Sequence, residues 1–353
     1  MDIKSIIISD EISIKEAMFK IDKTSKKILI VADDDNRVLG VITDGDLRRW
    51  ILKNGDLNKD VSHIMNTNPT LVRIGEEDRA LSIMKSKFID AIPVVDQDNK
   101  VVSVVLWNDK TSGTLNKFGE IDIPIIIMAG GKGTRLYPYT KILPKPLVPI
   151  GDTPIVERII NRFLLFGVKN FFMTVNYKKN MIKSYFNDLK KEYNLEFIEE
   201  EKPLGTGGSL TLLKQNLNTT FFLSNCDILI EANYSDIYNY HKKNKNKITM
   251  ITSLKNFKIP YGVIEIDELG LITTTKEKPE YNYLVNTGMY LIEPELIELI
   301  PKDQFFNITE LVDICIAKKI KVGTYPVSEN SWLDMGQIDE MNKMIDVLHR
   351  EDD

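Results

Sequence analysis

The chain has 353 residues, 43% of them hydrophobic and 27% charged, a balance that excludes a disordered polyelectrolyte, a collagen-like chain and a membrane bundle. With 46 basic against 51 acidic residues and a net charge of −5, no dominant positive field exists to hold a nucleic acid. The two cysteines, Cys226 and Cys315, and the three histidines, His63, His241 and His349, show neither zinc spacing nor a disulfide framework. No apolar run approaches the ~18 residues that span a bilayer. Charge begins at Asp2 and Lys4 with no apolar signal core, so the expectation is a cytoplasmic protein with no membrane partner. Length favours two domains, at roughly 150 residues each.

The amino-terminal region repeats itself at an offset of 63 without a gap. Ser13–Ile21 falls on Glu76–Met84, so that Ala17 meets Ala80, Met18 meets Leu81 and Ile21 meets Met84, which is helical spacing. Ile28–Ile42 then falls on Ala91–Val105. Each copy reads as a strand, a polar turn through Asn36 or Asn99, and a second strand, with a further helix behind. A unit this small buries little core alone, so the copies should pack face to face. The first copy ends Gly40-Val-Ile-Thr43-Asp-Gly-Asp46-Leu-Arg48. Thr43 and Asp46 suit a helix cap, and equally a site where a helix N-terminus meets a phosphate and a carboxylate accepts from sugar hydroxyls.

This repeat resembles the tandem CBS module, an α+β pair covering residues 1–112. The resemblance implies that Thr43 and Asp46 hold an adenine nucleotide as regulator, acting by biasing domain arrangement, and that the chain forms a homo-oligomer. The second copy departs from the pattern, with Leu106 and Trp107 in place of Thr43 and Asp44, and only Asp109 retained. Residues 113–122 read as a linker, and 123–353 as the second domain.

Ile123–Met128 is a short apolar run, consistent with a buried parallel strand. It leads into Ala129-Gly-Gly-Lys-Gly-Thr-Arg135, a turn whose backbone can approach phosphates closely. Two common readings fail. The dinucleotide fingerprint needs glycine at 136, which is Leu136, and a P-loop needs serine or threonine after Lys132, which is Gly133. A lysine between prolines follows, in Pro144-Lys145-Pro146. The whole stretch from Ala129 to Ile150 resembles the signature of sugar-1-phosphate nucleotidyltransferases. The resemblance implies an α/β, Rossmann-like domain with a mixed, mainly parallel sheet. It also implies that Ala129, Gly130, Gly131, Gly133 and Thr134 wrap a nucleoside triphosphate while Arg135 and Lys145 neutralise its phosphates. The sugar phosphate would attack the α-phosphorus in line, chemistry that asks for positioning and charge neutralisation more than for a covalent nucleophile.

Asp152-Thr153-Pro154 reads as a helix cap with a first-turn proline. Ile155, Val156, Ile159, Ile160, Phe163 and Leu164 then recur at helical spacing. A strand over 171–176, a helix over 181–189 and a strand over 195–199 follow, so ligands should gather at the strands' carboxyl ends. Phe221–Ser224 is a strand running into Asn225-Cys226-Asp227, where a strand-end carboxylate suits Mg²⁺ shared with triphosphate oxygens. Asp227 and Asp334, the latter in Trp332-Leu333-Asp334-Met-Gly336, resemble the family's metal-binding aspartates; each also suits the start of a turn.

The resemblance places a base-reading side chain at Glu200, with Pro203, Gly205 and Thr206 beside the nucleotide. A carboxylate only accepts hydrogen bonds, and guanine offers two adjacent donors where uracil and thymine offer one N–H between carbonyls. GTP is therefore favoured, although three consecutive glutamates also fit a solvated strand end. Gly262, Glu277, Lys278, Asn286 and Thr287 match the family's sugar-phosphate pocket, with Lys278 also counted as catalytic beside Arg135, Lys145 and Asp227. A CBS pair joined to such a transferase resembles bacterial enzymes that make GDP-sugars for surface glycans. By architecture glucosamine-1-phosphate comes first as substrate, then mannose-1-phosphate, then uridylyl or thymidylyl transfer. A non-catalytic nucleotide-sugar sensor should have lost a phosphate cation or a metal aspartate, and Arg135, Lys145, Asp227, Lys278 and Asp334 are all present.

Overall fold

The periodicity of the amino-terminal region becomes two sheets of one topology in a computed structural model that describes residues 3–24, 28–76, 79–80, 82–84, 89, 91–106 and 119–352. In the first sheet β1 (Ile7–Ile8) runs parallel to β2 (Ile28–Ala32), which pairs antiparallel with β3 (Val38–Thr43). In the second, β4 (Val72–Arg73), β5 (Ala91–Val95) and β6 (Val101–Leu106) repeat the arrangement. The correspondence extends to irregularities. Each hairpin shifts register after Val31 or Val94, and each turns through a left-handed asparagine, Asn36 or Asn99, at φ 61° and 60°. A short amide side chain tolerates that backbone.

The copies meet at these turns. Val38 N–H donates to Asn99 O and Val101 N–H to Asn36 O, both at 3.0 Å. Val101 and Val104 pack against the first copy's core of Ile14, Leu29, Ile30 and Ile42, while Ile28, Val41 and Leu106 bury one another. The helix Ile14–Thr24 buries Ile14, Ala17 and Ile21, the face its spacing predicts. Leu81, Trp107, Asp109 and residues 113–118 of the expected linker lie outside the described residues.

By its contacts the chain divides into two units, Met1–Ile121 with Asn161–Gly167, and Asp122–Ile160 with Val168–Asp353. The second unit carries β7 (Ile125–Ala129), the short β8 (Pro149–Ile150) and β9 (Thr153–Pro154), β10 (Asn170–Val175), β11 (Asn194–Glu199), β12 (Phe221–Asn225), β13 (Ile228–Ile230), β14 (Ile248–Lys258), β15 (Val263–Ile266), β16 (Ile272–Lys276), β17 (Glu280–Ile292), β18 (Val322–Val327) and β19 (Trp332–Asp334). Seven of these form a sheet in the order β11-β10-β7-β12-β17-β14-β18. Only β17 runs against its neighbours; the other pairs are parallel. All five residues of β7 are buried, because a strand covered on both faces needs apolar side chains on both. Its neighbours β10 and β12 return to either side of it, which opens a crevice at their carboxyl ends.

Two boundaries differ from expectation. The apolar run enters the sheet only at Ile125, since Pro124 has no N–H for a ladder. Asp152–Pro154 is not a helix cap: β8 and β9 pair as a hairpin around Gly151, at φ 63°. The helix starts at Ile155, whose N–H donates to Val148 O at 3.1 Å. A proline sits at a strand edge as readily as in a first helical turn, and the glycine turn decides. Among the described residues no helix is long and apolar enough to cross a membrane.

One polar cluster is sealed beneath the sheet. His241 is fully buried, with Nδ1 2.8 Å from Thr249 Oγ1 and Nε2 3.2 Å from Glu293 Oε1. Burial holds the imidazole below its ordinary range, against the opposing pull of Glu293. The unfolded chain takes up this proton near pH 6.5, the folded chain only at lower pH. The contribution to stability is thus complete above about pH 6.5 and shrinks as pH falls below it. Thermal melts from about pH 8 to about pH 5.5 should show a shallower loss in His241→Gln than in the parent. Parallel curves would assign the loss to other groups.

Candidate active site

The glycine loop leaves the carboxyl end of β7 and is held in shape from below. Gly133 has φ 66°, and a Cβ there would lie 2.9 Å from both Thr140 Cγ2 and Lys145 Cβ, so only glycine lets the loop close onto them. Thr140 is fully buried and its hydroxyl donates to Gly133 O at 2.7 Å. Arg135, Lys132 and Thr134 stand exposed on the loop.

β12 ends at Asn225 and delivers Asp227 next to the loop. Lys145 Nζ forms an ion pair with Asp227 Oδ2, and the two side chains are only 13% and 8% exposed. Asp334 arrives from the far end of the unit. β13 and β19 pair antiparallel with Ile228 opposite Asp334, and Met335 N–H donates to Asp227 O at 2.8 Å. This small ladder brings together two aspartates more than a hundred positions apart in the chain. Burial first, then the charge of Asp227, pushes the Asp334 carboxyl above the usual range, against the opposing pull of the Gly336 N–H, Lys145 and Arg135. Arg135, Asp227 and Asp334 line one cleft of about 370 Å³, together with Thr206, Asn225, Asn286, Thr287, Tyr290, Thr309 and Trp332.

The donor set fits a hard cation. Two carboxylates without sulfur or imidazole suit Mg²⁺, which takes one or two carboxylates and completes its shell with water and phosphate oxygens. Among the described residues no cluster of three or more His, Cys, Asp or Glu forms a self-sufficient metal cage. The neighbouring thiol is no nucleophile: burial and the Asp227 charge push Cys226 up to about 12, so it stays protonated.

Glu200 follows β11 and is 6% exposed, which overturns the solvated strand end as its environment. Its Oε2 accepts from Leu204 N–H at 3.2 Å, and burial raises its carboxyl above the usual range. A Cβ on Gly130 would come within 2.8 Å of Glu200 Oε1, so the glycine loop and this carboxylate occupy adjoining space. Thr206 accepts from Ile308 N–H at 3.0 Å and ties its loop to the helix Ile308–Ala317; Pro203 is exposed and Gly205 has φ 75°.

The expected sugar residues divide. Asn286 and Thr287 line the cleft, although the Thr287 hydroxyl is already donating to Ile251 O at 2.8 Å. Gly262, Glu277 and Lys278 stand exposed around the β15–β16 hairpin and outside the cleft lining. A Cβ on Gly262 would meet Glu277 Oε2 at 3.1 Å, so those two at least adjoin. The sequence pattern gave no role to Tyr290, Asn307 or Thr309, which also line the cleft. Asn307 and Glu310 form a reciprocal capping box, a helix start legible in N-x-x-E, but its position beside Asp334 is a tertiary fact.

The strain at Asp334 has a measurable sign. In a chelator, Asp334→Asn should raise the unfolding midpoint by roughly 2–4 °C, about 1 kcal/mol for a unit this size. The amide keeps the 2.7 Å bond from Gly336 N–H and removes a carboxylate that burial and the Asp227 charge disfavour. A lower midpoint would show that the carboxylate is already well satisfied.

Comparison with known proteins agrees with this geometry. The sequence profile of the Nucleotidyl transferase family matches residues 125–351, and the CBS domain profile matches 1–53 and 61–109. The mannose-1-phosphate guanyltransferase of Saccharomyces cerevisiae is 33% identical over 221 residues, which is 60% of this chain and 61% of that protein. The bifunctional protein GlmU of Methanococcus aeolicus is 33% identical over 177 residues, 50% of this chain and 41% of that protein. The match therefore spans about three-fifths or less of these relatives' lengths. HddC from Yersinia pseudotuberculosis shares the fold, with a TM-score of 0.51 at 23% identity over 64% of this chain and 99% of that one. With its signature loop, strand-end aspartate and late W-x-D-x-G segment all on the matched unit, the chain belongs to the nucleotidyl transferase family and carries a CBS pair ahead of it.

Proposed function

We propose that the protein transfers a nucleotidyl group from a nucleoside triphosphate to a sugar-1-phosphate, releasing pyrophosphate and forming a nucleoside-diphosphate sugar. The observation that carries this reading is the cleft in which Arg135, Asp227 and Asp334 converge, with Lys145 paired to Asp227. In this reading Arg135 and Lys145 neutralise the triphosphate and hold its α-phosphorus in line with the incoming oxygen. An oxygen of the sugar phosphate forms the new P–O bond as the bond to the β-phosphate breaks. That oxygen is already ionised at neutral pH, so no general base is required. Mg²⁺, held by Asp227 and Asp334, would supply further neutralisation of the triphosphate charge.

The favoured triphosphate is GTP. Glu200 is a buried acceptor beside the glycine loop; guanine N1–H and its 2-amino group satisfy such a group, whereas a pyrimidine carbonyl would leave it unpaired. The guanyltransferase relatives support the same choice. They favour mannose-1-phosphate, whereas the joined CBS pair favours glucosamine-1-phosphate, and both acceptors stand. For the CBS pair we keep adenine-nucleotide regulation and homo-oligomer formation as expectations. Asp46 accepts from Thr43 N–H at 2.8 Å and from its hydroxyl at 2.6 Å, a capping box at the start of the helix Asp44–Leu52; a phosphate at that N-terminus would meet these same residues.

Pyrophosphate release with Mg²⁺ should be measured for GTP, UTP, dTTP, CTP and ATP against glucosamine-, mannose-, glucose- and N-acetylglucosamine-1-phosphate. Turnover confined to the GTP column is expected, and an empty set, repeated with AMP or ATP added, would overturn the reading. Glu200→Gln should lower the preference for GTP over UTP by roughly tenfold or more, about 1.4 kcal/mol. An unchanged preference would move base recognition elsewhere.

A further inference from the structure

The segment Asn176-Tyr177-Lys178 follows β10 and touches both halves of the nucleotide site. Asn176 Nδ2 donates to Glu200 O at 2.8 Å. Tyr177 N–H reaches Gly130 O at 3.4 Å, and its hydroxyl reaches Thr140 O at 3.5 Å. Lys178 Nζ donates at 2.6 Å to both Lys141 O and Ile142 O. These carbonyls end the one-turn helix Tyr139–Ile142, which stands between the glycine loop and Lys145. A helix leaves its last carbonyls without internal partners, and one this short has little else to hold it. Leu143 N–H donates to Tyr139 O at 3.1 Å, while Tyr177 and Lys178 meet the carbonyls of Thr140, Lys141 and Ile142. An ammonium at a helix C-terminus is the favourable charge there.

The backbone of Lys178 has φ 52°, a left-handed conformation that glycine or asparagine adopts readily and lysine does not. Lys245 and Lys319 share this backbone, so it is the two carbonyl contacts that single out Lys178.

We propose that Lys178 is a positioning residue: its ammonium clamps the carbonyls of Lys141 and Ile142, beside the Tyr177 contact to Thr140, and thereby fixes Arg135 and Lys145 for the triphosphate. The inference rests on the nucleotidyl-transfer reading and extends it to a residue outside the cleft. Lys178 is not among the residues that line the cleft. It acts through Thr140, whose hydroxyl shapes Gly133, and through the chain leading into Lys145.

The test compares wild type with Lys178→Met, Lys178→Gly and Lys178→Arg, by steady-state kinetics, titration calorimetry of GTP with Mg²⁺, and thermal melting. Lys178→Met should raise the KM for the triphosphate and lower kcat, together roughly 10- to 100-fold in kcat/KM, with the KM for the sugar phosphate unchanged. Lys178→Gly should show the same kinetic loss with an equal or higher melting midpoint, since glycine relieves the left-handed backbone while losing the clamp. Lys178→Arg should recover most of the activity, as a guanidinium still donates to two carbonyls. Met and Gly variants with wild-type kinetics would overturn the inference, as would a lowered midpoint with intact kinetics. Wild-type protein that neither binds nor turns over any triphosphate would remove the reading itself, and the inference with it.

Discussion

A buried lysine–aspartate pair with a second carboxylate beside it is the constraint around which the second unit is organised. Taking the Lys145 ammonium and the Asp227 carboxylate out of water is expensive, and breaking such a pair by removing one partner typically costs about 3–5 kcal/mol. Asp334 adds a second negative charge beside this pair, and burial together with the Asp227 charge raises its affinity for a proton. A merely structural site would gain by replacing Asp334 with a neutral residue. In the proposed function this excess would suit a site that receives a polyanion with a divalent cation: Asp227 and Asp334 would hold the cation, which would supply charge neutralisation, while Arg135 and Lys145 would meet the remaining phosphate charge.

The topology explains how the groups meet. The glycine loop, Asn176–Lys178, Glu200 and Asp227 each lie just beyond the carboxyl end of a parallel strand: β7, β10, β11 and β12. Adjacent parallel strands align these ends in one crevice, so residues distant in sequence arrive together without any loop crossing the core. Asp334 cannot use this route, since β19 is not part of the large sheet. It is carried in by the β13–β19 ladder, in which Ile228 and Leu333 are buried.

Much of this was legible in the sequence. The repeat could be read to the residue, because Asn36 and Asn99 fall at equivalent positions of the two copies; the shared left-handed turn and register shift are what the structure adds. The alternation of strands and helices followed from local periodicity, and the signature around Arg135 and Lys145 pointed to the family whose profile matches this unit. What escaped was non-local or marginal in local preference. Pro154 reads equally well as a helix start or a strand, and Gly151 tipped it to the hairpin. The helix start at Asn307 was readable, but its arrival in the cleft depends on how Thr206 and Phe306 tie two segments together. The Lys178 clamp has no sequence signature, since the carbonyls it holds are identical in every residue type.

The central claim is that the carboxylate pair binds its cation jointly with a triphosphate. Calorimetric titration of Mg²⁺ into the protein, alone and saturated with a non-hydrolysable GTP analogue, tests it most directly. The account predicts weak or undetectable binding to the protein alone, strong binding with the analogue present, and loss of that gain in Asp334→Asn. Equally tight Mg²⁺ binding with and without nucleotide would contradict it, because the two aspartates would then form a complete metal site on their own.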